Sequence, residues 1–168
     1  MTRVPIVREV AWLAVLPQLV ILGVFIAIAA ALRGGYDDHA LISGAGAYLA
    51  LSFVLRYTVT RQHRIGMRLM KAHRFEDAAL HFERSAEYFG RHPLLDKLRA
   101  FTLLSAARMS YREMALCNIA FALSQLGRGA EAKSAYERVL REYPDNSLAN
   151  AAMRLILSAE SAAASRAG

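Results

Sequence analysis

Apolar residues run almost unbroken through two stretches near the start of the chain, Val10–Leu32 and residues 40–59. Neither shows the polar face expected of an amphipathic helix on a soluble domain. The first carries no charge, and at about 1.5 Å per residue it reaches across a hydrocarbon core of about 30 Å. The second is uncharged from Leu41 to Leu55. Arg56 then extends its stem along apolar surface and brings its head to the interface beside Tyr57. Between the stretches, Gly34-Gly35-Tyr36-Asp37-Asp38-His39 reads as a polar turn. The pattern predicts a transmembrane hairpin over residues 1–60, with Trp12 in the headgroup region at its entry. Gln18 is expected to hydrogen-bond to the neighbouring helix. Gly23, Ala27 and Ala31 are expected to meet Gly46 and Ala50 where the helices touch.

From Arg61 the period changes to that of amphipathic helices, with no alternating strand pattern. Phe75, Ala78, Ala79, Phe82, Ala86 and Phe89 recur at spacings of three and four. Ala132, Ala135, Tyr136, Val139, Leu140 and Tyr143 repeat the arrangement. Each run follows another helix and a turn: Ala72-His73-Arg74 in the first case, Leu126-Gly127-Arg128-Gly129 in the second. The segment 94–109 opens after Pro93 and sets Leu94, Leu95, Leu98, Phe101, Thr102 and Leu104 on one side, which predicts an extra helix. Ser110-Tyr111-Arg112-Glu113 reads as a capping box. Residues 94–126 thus form two helices broken near Ser105–Ser110, or one bent helix. Residues 146–159 supply a closing helix, and the Ala/Ser-rich 160–168 a frayed tail. The second apolar stretch is expected to run unbroken into the helix that begins near Arg61, since only Gly66 interrupts Leu49–Ala72.

These residues resemble the tetratricopeptide repeat family. Leu116, Ile119-Ala120, Leu123, Gly127, Ala132, Tyr136, Val139-Leu140 and Pro144-Asp145-Asn146 fill one repeat over 111–146. Ile65-Gly66, Leu69, Phe75, Ala78, Phe82 and Ser85-Ala86 fill a looser one over 61–92, with His73 in place of the turn glycine and Gly90 in place of the closing proline. Gly66 and Ala120 lie farther apart than the about 34 residues that separate adjacent repeats, and the segment 94–109 is the surplus. The resemblance implies an all-α architecture: a two-helix transmembrane hairpin, then a short solenoid of about six helices over 61–160. It also implies a ligand groove lined by the first helix of each pair. The matching positions are His63, Met67, Met70 and Lys71 in one repeat, and Cys117, Asn118, Phe121 and Gln125 in the other. Asn118 fills the slot of an asparagine that holds a peptide carboxylate in chaperone-type members, but that clamp's basic residues are missing from the matching slots.

Nearly all of the formal net charge of +7 lies after residue 60. No aromatic-basic interleaving or known reader motif accompanies it, so nucleic acid is not the expected partner. Arg56, Arg61, Arg64, Arg68 and Lys71 instead read as contacts to anionic headgroups. They follow the second span, as Arg3 and Arg8 precede the first, so both termini are expected in the cytoplasm with the turn outside. Ala29-Ala30-Ala31 resembles a signal-peptidase site, but the apolar run exceeds an ordinary signal core, which favours an uncleaved anchor.

One cysteine, Cys117, allows no internal disulfide and no paired-cysteine metal site. No phosphate loop, HExxH or nucleophile elbow is present, and His39, His63, His73, His81 and His92 fall into no ligand spacing. No cofactor, metal or small-molecule substrate is expected. The heavy Ala and Arg usage suggests a bacterial inner membrane. The expected role is that of a membrane-anchored adaptor that binds another protein on the cytoplasmic face. The alternative is a non-catalytic subunit of a multi-span complex, held through the hairpin. A catalytic role is the weakest reading.

Overall fold

The computed structural model describes residues 15–103, 105 and 107–167. Arg3, Arg8, Trp12, the start of the first apolar stretch and Leu104 lie outside the described residues. Described elements are all helical, with no β-strand among them: α1 Val15–Arg33, α2 Asp38–Thr58, α3 Arg61–Lys71, α4 Phe75–Arg91, α5 Pro93–Lys97, α6 Arg99–Thr102, α7 Tyr111–Gln125, α8 Gly129–Glu142 and α9 Ser147–Ala167. They fall into two compact units. One takes the described residues up to Arg61 together with those of His92–Ser110; the other takes Gln62–Arg91 and those from Tyr111 onward.

In the first unit, α1 and α2 are long and apolar enough to cross a bilayer. They pack side by side. Gly34, at φ +80°, ends α1 with paired bonds from Gly35 N to Ala30 O (3.0 Å) and Gly34 N to Ala31 O (3.3 Å), the left-handed ending that glycine makes cheap. Asp37 starts α2 by accepting from Ala40 N at 2.6 Å. The seam is not where the small-residue pattern set it. Gly23, Ala27, Ala31, Gly46 and Ala50 point outward. Gly44 lies in the seam: a Cβ there would stand 2.6 Å from Ile26 Cα and 2.9 Å from Phe25 O. The buried positions of α2, Ala40, Gly44 and Ser52, keep the four-residue spacing of close packing one face over. Gln18 Nε2 is enclosed and finds no acceptor among the described residues.

Two further expectations fail. Residues 94–109 are not one helix but the short α5 and α6, parted at Leu98 (φ −92°, ψ 23°), and α6 packs on α1 within the first unit. Nor does α2 run into α3: Val59 and Thr60 intervene. Thr60 Oγ1 takes the Arg56 carbonyl at 2.5 Å and Thr58 Oγ1 takes Val54 O at 2.8 Å, side-chain bonds that compete with the helical ladder.

The second unit repeats itself. α3–α4 and α7–α8 are helix pairs whose equivalent positions carry equivalent residues: Gly66 and Ala120, His73 and Gly127, Ala78 and Ala132, Phe82 and Tyr136. All but the turn residues are buried. The phenyl ring of Phe82, with no exposed surface, lies against Gly66, where a Cβ would be 2.9 Å from it. A large side chain from one helix thus fills the gap left by a small one on its partner. Both turns end in the left-handed region, His73 at φ 57° and Gly127 at φ 72°. Each closes with the same bonds: Arg74 N to Leu69 O (2.9 Å) and Arg128 N to Leu123 O (3.0 Å). The ion pair that follows is repeated too, Arg74 with Asp77 and Arg128 with Glu131.

Tying the pairs together, α7 packs on both α4 and α8, and α9 on α8. Asn146 starts α9 by accepting from Ala149 N at 2.7 Å while donating to Glu113 of α7 at 2.8 Å. Lys133 of α8 reaches Glu160 of α9, and α9 extends to Ala167, beyond the residue 159 at which the closing helix was expected to stop.

Candidate functional site

The site predicted from the sequence lies along α3 and α7, the first helix of each pair. The structure divides its eight residues. His63, Met70 and Cys117 are interior, 8%, 3% and 3% exposed, and line no groove. The reason is geometric. His63, Gly66 and Met70 form the buried stripe of α3, and Cys117 sits on a face of α7 beside Asn146. The remaining five stay at the surface: Met67, Asn118 and Phe121 half-buried, Lys71 and Gln125 exposed. Met67 and Asn118 are brought together, with Asn118 Nδ2 3.6 Å from Met67 Sδ. Asn118, Phe121 and Gln125 follow at helical spacing on one side of α7. This is a short strip of one thioether, one phenyl ring and two amides, with Lys71 on α3.

The electrostatics of the interior are set chiefly by burial. Burial pushes the Cys117 thiol up to about 12, and the nearby Glu113 charge adds to this. Such a thiol stays protonated and is a poor nucleophile. Burial alone holds the His63 imidazole down at about 4. Its ring meets Phe82 and Tyr111 edge-on at 5.4 and 5.6 Å, and Phe89 stacks on Tyr111 at 5.0 Å. His63 Nδ1 finds no hydrogen-bond partner among the described residues. Among those same residues no group of three His, Cys, Asp or Glu side chains is placed to hold a metal ion.

The basic residues predicted to meet headgroups divide as well. Arg61, Arg68 and Lys71 are exposed on α3, while Arg64 between them is half-buried. Arg56 is exposed, and its Nε donates to Leu103 O at 3.4 Å within the first unit.

Sequence reasoning missed Arg112. Its guanidinium donates to Ala86 O of α4 at 2.7 Å and to both carboxylate oxygens of Glu142 of α8 at 2.8 and 3.0 Å. It lies over Gly90, where a Cβ would strike it. Gly90, which marked a departure from the repeat pattern, makes room for this three-helix staple. Glu142 is held below the usual carboxylate range, first by that bond to Arg112. No protein-family model, no curated protein and no solved structure matches the chain, so its own residues carry the functional reading.

Proposed function

We propose that the chain is a membrane-anchored, tetratricopeptide-type adaptor. On this reading the hairpin of α1 and α2 spans the bacterial inner membrane with both termini in the cytoplasm, and the helix pairs bind another protein there. The observation that carries it is the repeated helix pairs, with Gly66 under Phe82 in one and Ala120 and Tyr136 buried at the equivalent positions of the other, in a chain that also holds two bilayer-length apolar helices. Small-over-large nesting builds an array whose spare surface is a binding face. Met67, Asn118, Phe121 and Gln125 form the contact strip; a thioether and a phenyl ring give apolar area, and the amides orient what binds. Arg61, Arg68 and Lys71 meet anionic headgroups.

A photo-crosslinking residue at Phe121 tests this in cells, with one at Glu83, exposed on α4, as the control. The expected result is a discrete adduct from position 121 alone, retained when the hairpin is exchanged for an unrelated one. Equal labelling from both positions removes the adaptor reading.

One observation favours a second reading, a subunit held inside a multi-span complex. Gly23, Ala27 and Ala31 form an open small-residue stripe on the outer face of α1, a surface on which another helix could pack. Loss of the adduct on hairpin exchange, with the chain still folded, selects it.

A further inference from the structure

Between the two helix pairs the chain leaves the second unit and joins the first. The insertion His92–Ser110 is clustered with the hairpin, α6 packs on α1, and Leu103 is fully buried there with its carbonyl bonded by Arg56. One guanidinium folds the insertion on itself: Arg99 donates to Ala107 O at 2.9 Å, to Asp96 O at 3.2 Å and to Arg108 O.

This fold leaves Leu94 70% exposed and Leu98 47% exposed. Leu98 N donates to Leu94 O at 2.9 Å, so the two leucines stand one turn apart. The insertion's one acidic residue, Asp96, is 4% exposed, while Lys97 and Arg108 are exposed to solvent. The insertion's exposed surface is therefore apolar and cationic, with no exposed carboxylate among its described residues. Nor is the location arbitrary. The insertion sits at the end of α2 that carries Arg56, where the apolar run stops and hydrocarbon would give way to headgroups.

We propose that the insertion is an interfacial membrane seat. Leu94 and Leu98 enter the acyl boundary of the leaflet, and Lys97 and Arg108 meet anionic phosphates. The inference rests on the reading of the hairpin as membrane-spanning. Lipid is the occupant argued for because the insertion that carries the patch is held to the hairpin through α6 and Leu103, and the charge of the patch complements an anionic leaflet; short apolar-cationic elements bind at this depth.

The test uses the full chain in nanodiscs of phosphatidylcholine and phosphatidylglycerol, in a Cys117→Ala background. An environment-sensitive fluorophore is attached through Leu94→Cys, Leu98→Cys, Leu49→Cys (mid-α2) or Gln125→Cys. Quenching by a nitroxide lipid labelled near the acyl carbonyl is compared with quenching by aqueous iodide. Positions 94 and 98 should be quenched by lipid and shielded from iodide several-fold relative to 125. If position 49 shows no lipid quenching, the spanning hairpin itself fails. If 49 is quenched by lipid while 94 and 98 are open to iodide, the hairpin stands and the seat is overturned. Shielding without lipid quenching also overturns it, and points to a protein over the leucines. Should the cysteine variants misfold, the unmodified chain is irradiated with an acyl-chain diazirine lipid. Adducts on residues 92–97 support the seat, and adducts confined to α1 and α2 refute it.

Discussion

His63 gives the sharpest test of the packing in the second unit. Its ring sits in the first turn of α3, enclosed by Phe82 and Tyr111, and burial holds it at about 4 against an ordinary 6.5. Above pH 6.5 the imidazole is neutral in the folded and the unfolded chain alike, so its burial carries no charge penalty. Between pH 6.5 and about 4 the unfolded chain binds a proton that the folded chain excludes. Stability therefore falls as pH falls through that window. At about 1.4 kcal/mol per pH unit, the loss reaches about 2 kcal/mol by pH 5 and about 3 kcal/mol near pH 4, then stops growing. The window above pH 5 is the informative one. Below it the carboxylates of Glu142 and Glu131, held low by Arg112 and Arg128, also take up protons and lose their contribution. The experiment compares the chain with its His63→Phe variant, which keeps the edge-on aromatic contacts and has nothing to titrate. Amide hydrogen exchange in α3 and α7, corrected for intrinsic rates, gives the opening free energy at pH 7, 6 and 5. His81, also lowered by burial, is common to both chains and cancels in the difference. The variant should lie about 2 kcal/mol flatter over this range. Parallel curves would mean that His63 titrates as it does in water, and that α3 does not dock as described.

Further substitutions probe other contacts. Gly66→Ala should destabilise the second unit by about 1–2 kcal/mol despite the better helix propensity of alanine, because the new Cβ meets the fully buried Phe82 ring at 2.9 Å; thermal or denaturant melts with a stability equal to or above the parent would contradict this nesting. Gly44→Leu should part the hairpin, since its Cβ would be 2.6 Å from Ile26 Cα and backbone cannot rotate aside. Disulfide trapping between cysteines placed at Phe25 and Tyr48, whose rings touch edge-on at 6.2 Å, should fall with it, and unchanged trapping efficiency would refute the seam. Ser85→Ala should stabilise by about 1 kcal/mol, because Ser85 Oγ is enclosed and finds no partner among the described residues; a loss of stability in the same melts would reveal a bond that the hydroxyl makes.

The features legible in the sequence are those set by local period. The bilayer-length helices, the polar turn between them, the helix pairs and the turn at His73 all follow from residues close together in the chain. His73 is a good example: it stands where Gly127 stands in the other pair, and it takes the same left-handed conformation without being glycine. What the sequence concealed depends on which face of a helix its neighbours cover. The stripe His63–Met70 reads as a groove by register alone, yet α3 turns that stripe inward. Gly23 and Gly46 have the spacing for close contact, yet Gly44 makes it. The insertion concealed most. Leucines at helical spacing after Pro93 fit one amphipathic helix, and nothing local says otherwise. The break at Leu98 comes from bonds that span the segment, in which Arg99 gathers the carbonyls of Asp96, Ala107 and Arg108. Such a guanidinium satisfies backbone groups that a helix would have satisfied itself, which removes the penalty for abandoning the helix. The segment can then fold with the hairpin, leaving Leu94 and Leu98 outward, where an apolar pattern meant for a protein core would have hidden them.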